Sequence, residues 1–260
     1  MSFQLSVVII TKNEEQNIDR CLRSLLTVAD DIVIVDSGST DKTEEISNHY
    51  RVNFIKAKWN GYSETKNFAN KQAKYDWILS IDADEELSPE LQRSIQVLKR
   101  ISDGINGKMK RLTNYCGTWI WHGGWYPDIK LRIFNRNQAC WEGELHEKLV
   151  FSESQDEVLL DGKCFHYTVT TIWQHIEIIN KYSSIWAEER YIKGRKASMI
   201  KVVFSPFVRF LKDYFFKKGV LDGFFGFVIA MNTSYSGFLR LVKLRQLYLN
   251  ERFIQKNVSP

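Results

Sequence analysis

The chain has 260 residues, 44% hydrophobic and 26% charged, which is enough for one large α/β domain or a domain with an appendage and excludes a disordered, collagenous or repeat-built chain. The net charge of +5 conceals an asymmetry: residues 196 to 256 carry eleven Lys or Arg against three acids, a net +8, so the rest nets −3. Cys21, Cys116, Cys140 and Cys164 lack CxxC spacing, which argues against zinc and disulfides and fits a reducing cytoplasm. The N-terminus enters an apolar run with no preceding basic segment or cleavage site, so no signal peptide is expected.

Leu5 to Ile10 is a short β-branched run suited to a strand buried on both faces. Asn13 followed by Gln16 predicts a capped helix whose Ile18, Cys21, Leu22, Leu25 and Leu26 share a face. Asp31 to Val35 reads as a second strand. It ends in Asp36-Ser37-Gly38-Ser39-Thr40-Asp41, a polar turn into a helix capped at Thr40 or Asp41. Val52 to Lys56, Ser63 to Lys74 and Trp77 to Ile81 continue as strand, helix and strand. Ser88-Pro89 then starts a helix with Leu91, Ile95, Leu98 and Ile101 on one face.

This order predicts a mainly parallel, Rossmann-like sheet flanked by helices, with ligands at the carboxyl ends of its strands. The suggestive polar residues lie at those ends: Thr11 to Glu14, Asp36 to Asp41, and Asp82 to Glu86. Carboxylates so crowded repel one another unless a cation separates them. In an extended segment Asp82 and Asp84 project to the same side, where they would hold Mg²⁺ or Mn²⁺ against a diphosphate. A solvated acidic turn capping the next helix is the competing reading. No P-loop or GxGxxG is present, which argues against a nucleoside triphosphatase or a dinucleotide enzyme.

Four ordered motifs carry a resemblance: Ser6 to Glu14, Val35 to Thr43, Lys66-Asn67, and the Asp-x-Asp at 82 to 84. Together they resemble the family 2 glycosyltransferases, which transfer sugars from nucleotide diphosphate donors with inversion on a GT-A fold. By that resemblance Thr11, Asn13, Glu14 and Asp36 hold the nucleoside, with Asp36 at the base. Lys66 lies near the donor phosphates, Asp82 belongs to both the donor and metal sites, and Asp84 binds the metal.

The Trp125-Tyr-Pro-Asp128, Arg132-x-Phe134, His146-Glu147 and Phe165-His-Tyr-Thr168 segments resemble the subgroup that includes bacterial lipopolysaccharide core glucosyltransferases. Other family members act on polyprenyl phosphates, capsule or peptides. An inverting transfer needs a base to take the acceptor's hydroxyl proton. Glu147 is the first candidate, with Glu144 and Asp128 in reserve. Arg132 and His146 are candidate phosphate or acceptor contacts. Trp125 and Tyr126, with Trp119, Trp121 and Trp141, form either a sugar-stacking wall or ordinary core.

The expected organisation is a catalytic domain over residues 1–170, divided into a donor half to about 103 and an acceptor half from 104, followed by a helical extension over 171–260. In that extension Val203, Phe207, Phe210, Leu211, Tyr214 and Phe215 fit one helical face beside Lys201, Arg209, Lys212, Lys217 and Lys218. This pattern suits a helix lying on an anionic membrane, although the same face would also suit packing on the catalytic domain. The run Gly223 to Met231 is too short to span a bilayer, which takes roughly 20 apolar residues.

The expectation is a peripheral enzyme on the inner face of the cytoplasmic membrane. It would use a divalent cation to move a hexose, glucose from UDP-glucose, onto a lipid-linked envelope saccharide such as the lipopolysaccharide inner core. A nucleotidyltransferase is disfavoured because Thr11 to Gln16 lacks a Gly-rich basic loop. A nucleic-acid-binding tail is disfavoured because its aromatics follow helical spacing rather than a sheet platform.

Overall fold

The computed structural model describes residues 3–101, 104–143 and 147–258, with side chains described to residue 251. The chain forms two compact units: Met1–Leu112 with Asp128–Tyr167, and Thr113–Pro127 with Thr168–Pro260. Segment 113–127, read from sequence as part of the first domain, thus belongs with the C-terminal helices.

In the first unit the strands are β1 (Leu5–Thr11), β2 (Asp31–Asp36), β3 (Asn53–Lys56), β4 (Trp77–Asp82), β5 (Glu85–Leu87), β6 (from Asn106), β8 (Asp128–Asn135) and β11 (Glu157 onward); β9 (Ala139–Glu142) and β10 (Lys148–Phe151) form a separate antiparallel hairpin. The sheet order is β3-β2-β1-β4-β8-β6-β11-β5. The first four strands in that order pair in parallel, but β4 with β8, β8 with β6, and β11 with β5 pair antiparallel. The parallel character inferred from βα alternation therefore covers only the first half of the sheet. Between α4 (Pro89–Ile101) and the end of β11 no helix intervenes among the described residues, so the parallel crossovers that helices supply stop there.

Strand alternation creates two cores. Leu5, Val7 and Ile9 of β1 pack with Ile18, Cys21, Leu22 and Leu25 of α1 (Ile18–Leu25) and with Leu91, Ile95 and Leu98 of α4. Val8, Val33, Val35 and Ile78 form a second cluster with Ala69 of α3 (Tyr62–Gln72), Phe134 and Trp141. Burial on both faces is why β1 and β2 read as continuous apolar runs. Gly162 is fixed by close approach: its φ is +94° and a Cβ there would lie 2.2 Å from the Leu91 nitrogen.

Asn13 does not cap α1. The helix begins at Ile18, no side-chain cap is present, and Asn13 sits in the left-handed region at φ 56°. Further along, Ser88 caps α4 as expected, accepting from Leu91 N at 3.2 Å. Asp41, with Thr43 and the short helix α2 (Thr43–Ser47) after it, accepts from Thr43 N at 3.0 Å.

The second unit contains the end of β6 at Tyr115, β7 (Thr118–Trp119) and three long helices: α5 (Ile172–Ile192), α6 (Met199–Leu211) and α7 (Gly223–Val258). Thr171 and Ser198 cap α5 and α6. Ala187, Ala197, Val202 and Leu244 form the interhelical core, and Lys243 donates to Asn180, Ser183 and Ser184. A π-turn over Lys212–Phe216 and a 3₁₀ turn over Gly219–Asp222 make the corner between α6 and α7. No helix among the described residues is long and apolar enough to cross a membrane.

Candidate active site

The carboxyl ends of β1, β2 and β4 converge on one polar region of the first unit. Side chains join the loop after β1 to the loop after β2: Asn13 Oδ1 accepts from Thr40 N at 2.8 Å, while Asn13 N and Glu14 N donate to Ser39 Oγ and Thr43 Oγ1. Asp36, 2% exposed, accepts from Gly38 N, Ser39 N and the Ser39 hydroxyl. Its carboxylate therefore builds the loop, which leaves little of it to meet a base directly. Thr11 is buried, and its hydroxyl has no hydrogen-bond partner. Burial pushes the Glu14 carboxyl up, and the charges of Asp84, Asp41 and Asp82 add to that rise against the Asn17 hydrogen bond. These carboxylates therefore sense one another across three loops.

Ala83 and Asp84 form a turn between β4 and β5, so Asp82 and Asp84 do not lie on one extended segment. Both oxygens of Asp82 already carry cations: Arg132 Nη2 lies 2.7 Å from Oδ2 and Lys66 Nζ lies 3.3 Å from Oδ1. Burial would raise the Asp82 carboxyl, but Arg132 and Lys66 outweigh it and hold the group well below the usual range. Asp82, which the Asp-x-Asp spacing pairs with Asp84 as a metal ligand, thus lies between two protein cations.

Asp84 has a different neighbour. Antiparallel pairing of β5 with β11 sets His166 opposite Glu85 and brings His166 Nε2 within 3.3 Å of Asp84 Oδ2. The buried Nδ1 of His166 has no hydrogen-bond partner. Among the described residues no group of three or more His, Cys, Asp or Glu is arranged to hold a metal ion by itself. Asp84 and His166 still fit a Mn²⁺ or Mg²⁺ ion, which commonly takes one or two protein ligands and completes its shell with diphosphate oxygens and water.

Behind Asp82 lies a balanced ion network. Glu85, fully buried, accepts from Arg132 at 3.0 Å, from Arg111 at 3.2 Å and from Asp82 N at 3.0 Å. Arg111 also grips Asp128 through Nε at 2.8 Å and Nη2 at 2.7 Å, and Lys130 adds a third contact. Burial raises the Asp128 carboxyl less than Arg111 and Lys130 lower it. A carboxylate so tied is a weaker proton acceptor than a free one.

Lys66, 3% exposed on α3, bridges Asp82 and Glu147, its Nζ 3.0 Å from Glu147 Oε1 and 4.8 Å from the Trp141 ring centroid. Asn67 fixes the hairpin that carries Trp141 by exchanging two hydrogen bonds with the Trp141 backbone, at 2.8 and 2.9 Å. Glu147 thus meets Lys66, which it shares with Asp82, while Glu144 and His146 lie outside the described residues. Trp125 packs on Tyr115 and His175 in the second unit, and Tyr126 meets Trp121 edge-on. Trp141 is 7% exposed, so two of the five suggested stacking rings belong to cores.

Sequence reasoning missed His166, Glu85 and Arg111, and also Arg20, whose guanidinium stacks over Tyr167 at 3.5 Å. Tyr167 donates to Glu86, and burial together with that bond pushes its phenol up to about 12. His166 and Tyr167 stood in a quoted motif, but only the β5–β11 pairing reveals what they face.

The chain matches the family model Glycosyl transferase family 2 over residues 6–159. It is 34% identical to an uncharacterized glycosyltransferase of Rickettsia typhi, over 96% of this chain and 89% of that one. The chain belongs to glycosyl transferase family 2. This family 2 chain is also 31% identical to the lipopolysaccharide core biosynthesis glycosyltransferase LpsC of Rhizobium meliloti, over 93% of this chain and 92% of that one. Among solved structures it resembles S. aureus TarS with a TM-score of 0.45 and 17% identity, over 69% of this chain and 39% of that one. The protein is a glycosyltransferase with an α/β fold.

Proposed function

We propose that the protein is an inverting hexosyltransferase that moves glucose from UDP-glucose to a lipid-linked envelope saccharide such as the lipopolysaccharide inner core. It would work with a divalent cation at the inner face of the cytoplasmic membrane. The observation that carries the catalytic part is that Lys66 pairs with both Asp82 and Glu147, while Asp84, in the turn directly after β4, pairs with His166. The similarity to LpsC supports the acceptor class, and the basic, aromatic C-terminal region supports the membrane setting.

Asn13 and Asp36 organise the loops that receive the nucleoside, with Thr11 buried at the end of β1. Asp84 and His166 would hold the cation, which supplies charge neutralisation for the leaving diphosphate. Lys66 adds a fixed positive charge in the same place, preorganised by Asp82 and Trp141. Glu147 takes the proton of the acceptor hydroxyl as that oxygen bonds to the anomeric carbon. The bond from that carbon to the diphosphate breaks, and its electron pair leaves with the nucleotide.

The test is mass-spectrometric transfer onto lipopolysaccharide truncated in its inner core, with UDP-glucose, UDP-galactose, UDP-N-acetylglucosamine and GDP-mannose compared. Addition of one hexose from UDP-glucose, dependent on Mn²⁺ or Mg²⁺, is the expected result. Transfer from another donor alone, or onto a polyprenyl phosphate or peptide in place of the saccharide, would replace this reading.

A further inference from the structure

In the helical unit, large apolar side chains face solvent along a continuous stripe. Ile200, Phe204, Phe207, Val208 and Leu211 recur every three or four residues on α6 and are between 47% and 73% exposed. The corner that follows continues the pattern, with Phe215 at 55%, Phe216 at 82%, Leu221 at 64% and Phe224 at 67%. Phe210 and Tyr214, read from sequence as part of this face, turn inward and pack on Phe227. An apolar surface of this extent marks an interaction site.

The charges identify the partner. Between residues 196 and 222 the cations Lys196, Lys201, Arg209, Lys212, Lys217 and Lys218 are all exposed. The two acids of this stretch are hidden. Asp213 is 2% exposed and held by Arg209 at 2.6 Å and Lys217 at 3.5 Å, and Asp222 accepts from Trp121 N, His122 N and the His122 ring. The corner is also tightly built: a Cβ on Gly226 would lie 1.9 Å from the Gly219 carbonyl oxygen, so the start of α7 packs directly on the 3₁₀ turn.

We infer that the outer row of α6 and the corner Phe215–Phe224 lie in the surface of an anionic lipid bilayer, with Phe216, Leu221 and Phe224 among the acyl chains and the lysines at phosphate level. Apolar side chains flanked by lysines suit this interface, where aliphatic groups leave water while cations stay beside anionic headgroups. A nucleic acid would engage the cations and some rings but leave Ile200, Val208 and Leu221 wet. A second copy seated face to face would set six cations against six. The inference deepens the proposed function by naming the membrane-contacting residues, and it rests on the reading that the acceptor is lipid-linked.

Vesicle co-sedimentation tests it, using phosphatidylcholine with and without phosphatidylglycerol. The wild type, the triple variant F216S/L221S/F224S and the double variant K201Q/K212Q are compared. The wild type is expected to bind the anionic vesicles and far less to the neutral ones. The serine variant should lose binding by more than about tenfold, given ~0.8 kcal/mol per buried CH₂. The glutamine variant should weaken on the order of fivefold per cation removed. All the altered side chains are exposed, and circular dichroism with UDP-glucose titration in solution checks that each variant is folded with its donor site intact.

Loss of vesicle binding with donor affinity retained would support the inference. Vesicle binding by a wild type that binds no nucleotide sugar would leave this surface standing and overturn the donor reading instead. Equal sedimentation of wild type and serine variant would overturn the inference, as would a wild-type dimer that the serine substitutions dissociate without lipid.

Discussion

The two units handle charge and apolar surface in opposite ways. In the first, three carboxylates and three cations (Asp82, Glu85 and Asp128 with Lys66, Arg111 and Arg132) are turned inward and paired, and apolar strands surround them. In the second, the carboxylates of Asp213 and Asp222 are hidden, the lysines beside them stay out, and phenylalanines accompany those lysines to the surface. An inward network fixes the positions of groups that must meet a charged substrate, whereas outward apolar side chains imply a partner that removes them from water. The contrast separates a unit shaped for chemistry from one shaped for docking.

The strongest way to break the first half of that contrast is to remove its proposed proton acceptor. Glu147→Gln should lower kcat by about 10²- to 10⁴-fold, the usual contribution of a general base, with donor affinity in calorimetry unchanged. Stability is affected most by Arg132→Met, which strands the Asp82 and Glu85 carboxylates. Breaking such a buried arrangement costs about 3–5 kcal/mol, readable as a shift in the urea midpoint. Adding Glu85→Gln to that variant should recover part of the loss.

The second unit offers a sharper contrast in pH. Burial pulls the His175 imidazole down to about 4; the groups facing it are the Tyr115 hydroxyl at 2.9 Å, the Asn232 amide at 3.1 Å and the Trp125 ring. With a folded pKa near 4 and an unfolded one near 6.5, the unfolded chain binds more protons in between. The unit therefore loses about 3 kcal/mol as pH falls through that window. The depressed Asp82 carboxyl acts lower, because its contribution is complete above the unfolded value of about 3.9 and is lost as pH falls from there through its lower folded value. Acid unfolding followed at Tyr and Trp signals should thus begin in the helical unit, and His175→Gln should flatten the slope between pH 6.5 and 4.

The smallest expected effect is at the loop junction. Asn13→Ala removes the acceptor for Thr40 N and places a Cβ residue without local hydrogen bonding at φ 56°. A loss of about 1–2 kcal/mol in donor binding, seen as a raised KM with kcat nearly constant, checks the role of Asn13 as the clasp between the two nucleoside loops.

How much of this was legible in the sequence follows from the range of the interactions. The strands β1, β2 and β4, the helix after Ser88-Pro89 and the helical C-terminal region were legible because periodicity and caps are local signals. Lys66 and Glu147 were singled out from local motifs, although their meeting at 3.0 Å was not foreseeable. The extended geometry expected for Asp82 and Asp84 is not found because the strand gives way to a turn at Ala83, which breaks the alternation that the spacing argument needs. His166, Arg111 and Arg132 reach the site through antiparallel pairings of distant strands, and no local pattern encodes their registers. Asn13 misled because an Asn that crosses two loops from a left-handed conformation has the same sequence signature as one that caps a helix.

The most direct test of the central claim, that Asp84 and His166 form a metal-assisted donor site while Asp82 holds protein cations, is calorimetric titration with UDP-glucose, with and without Mn²⁺. It would be run on the wild type, Asp84→Ala and His166→Ala. The account predicts Mn²⁺-dependent binding by the wild type and its loss in both variants, each still folded by circular dichroism. Mn²⁺-dependent binding that survives in both variants, or wild-type binding indifferent to the metal, would contradict it.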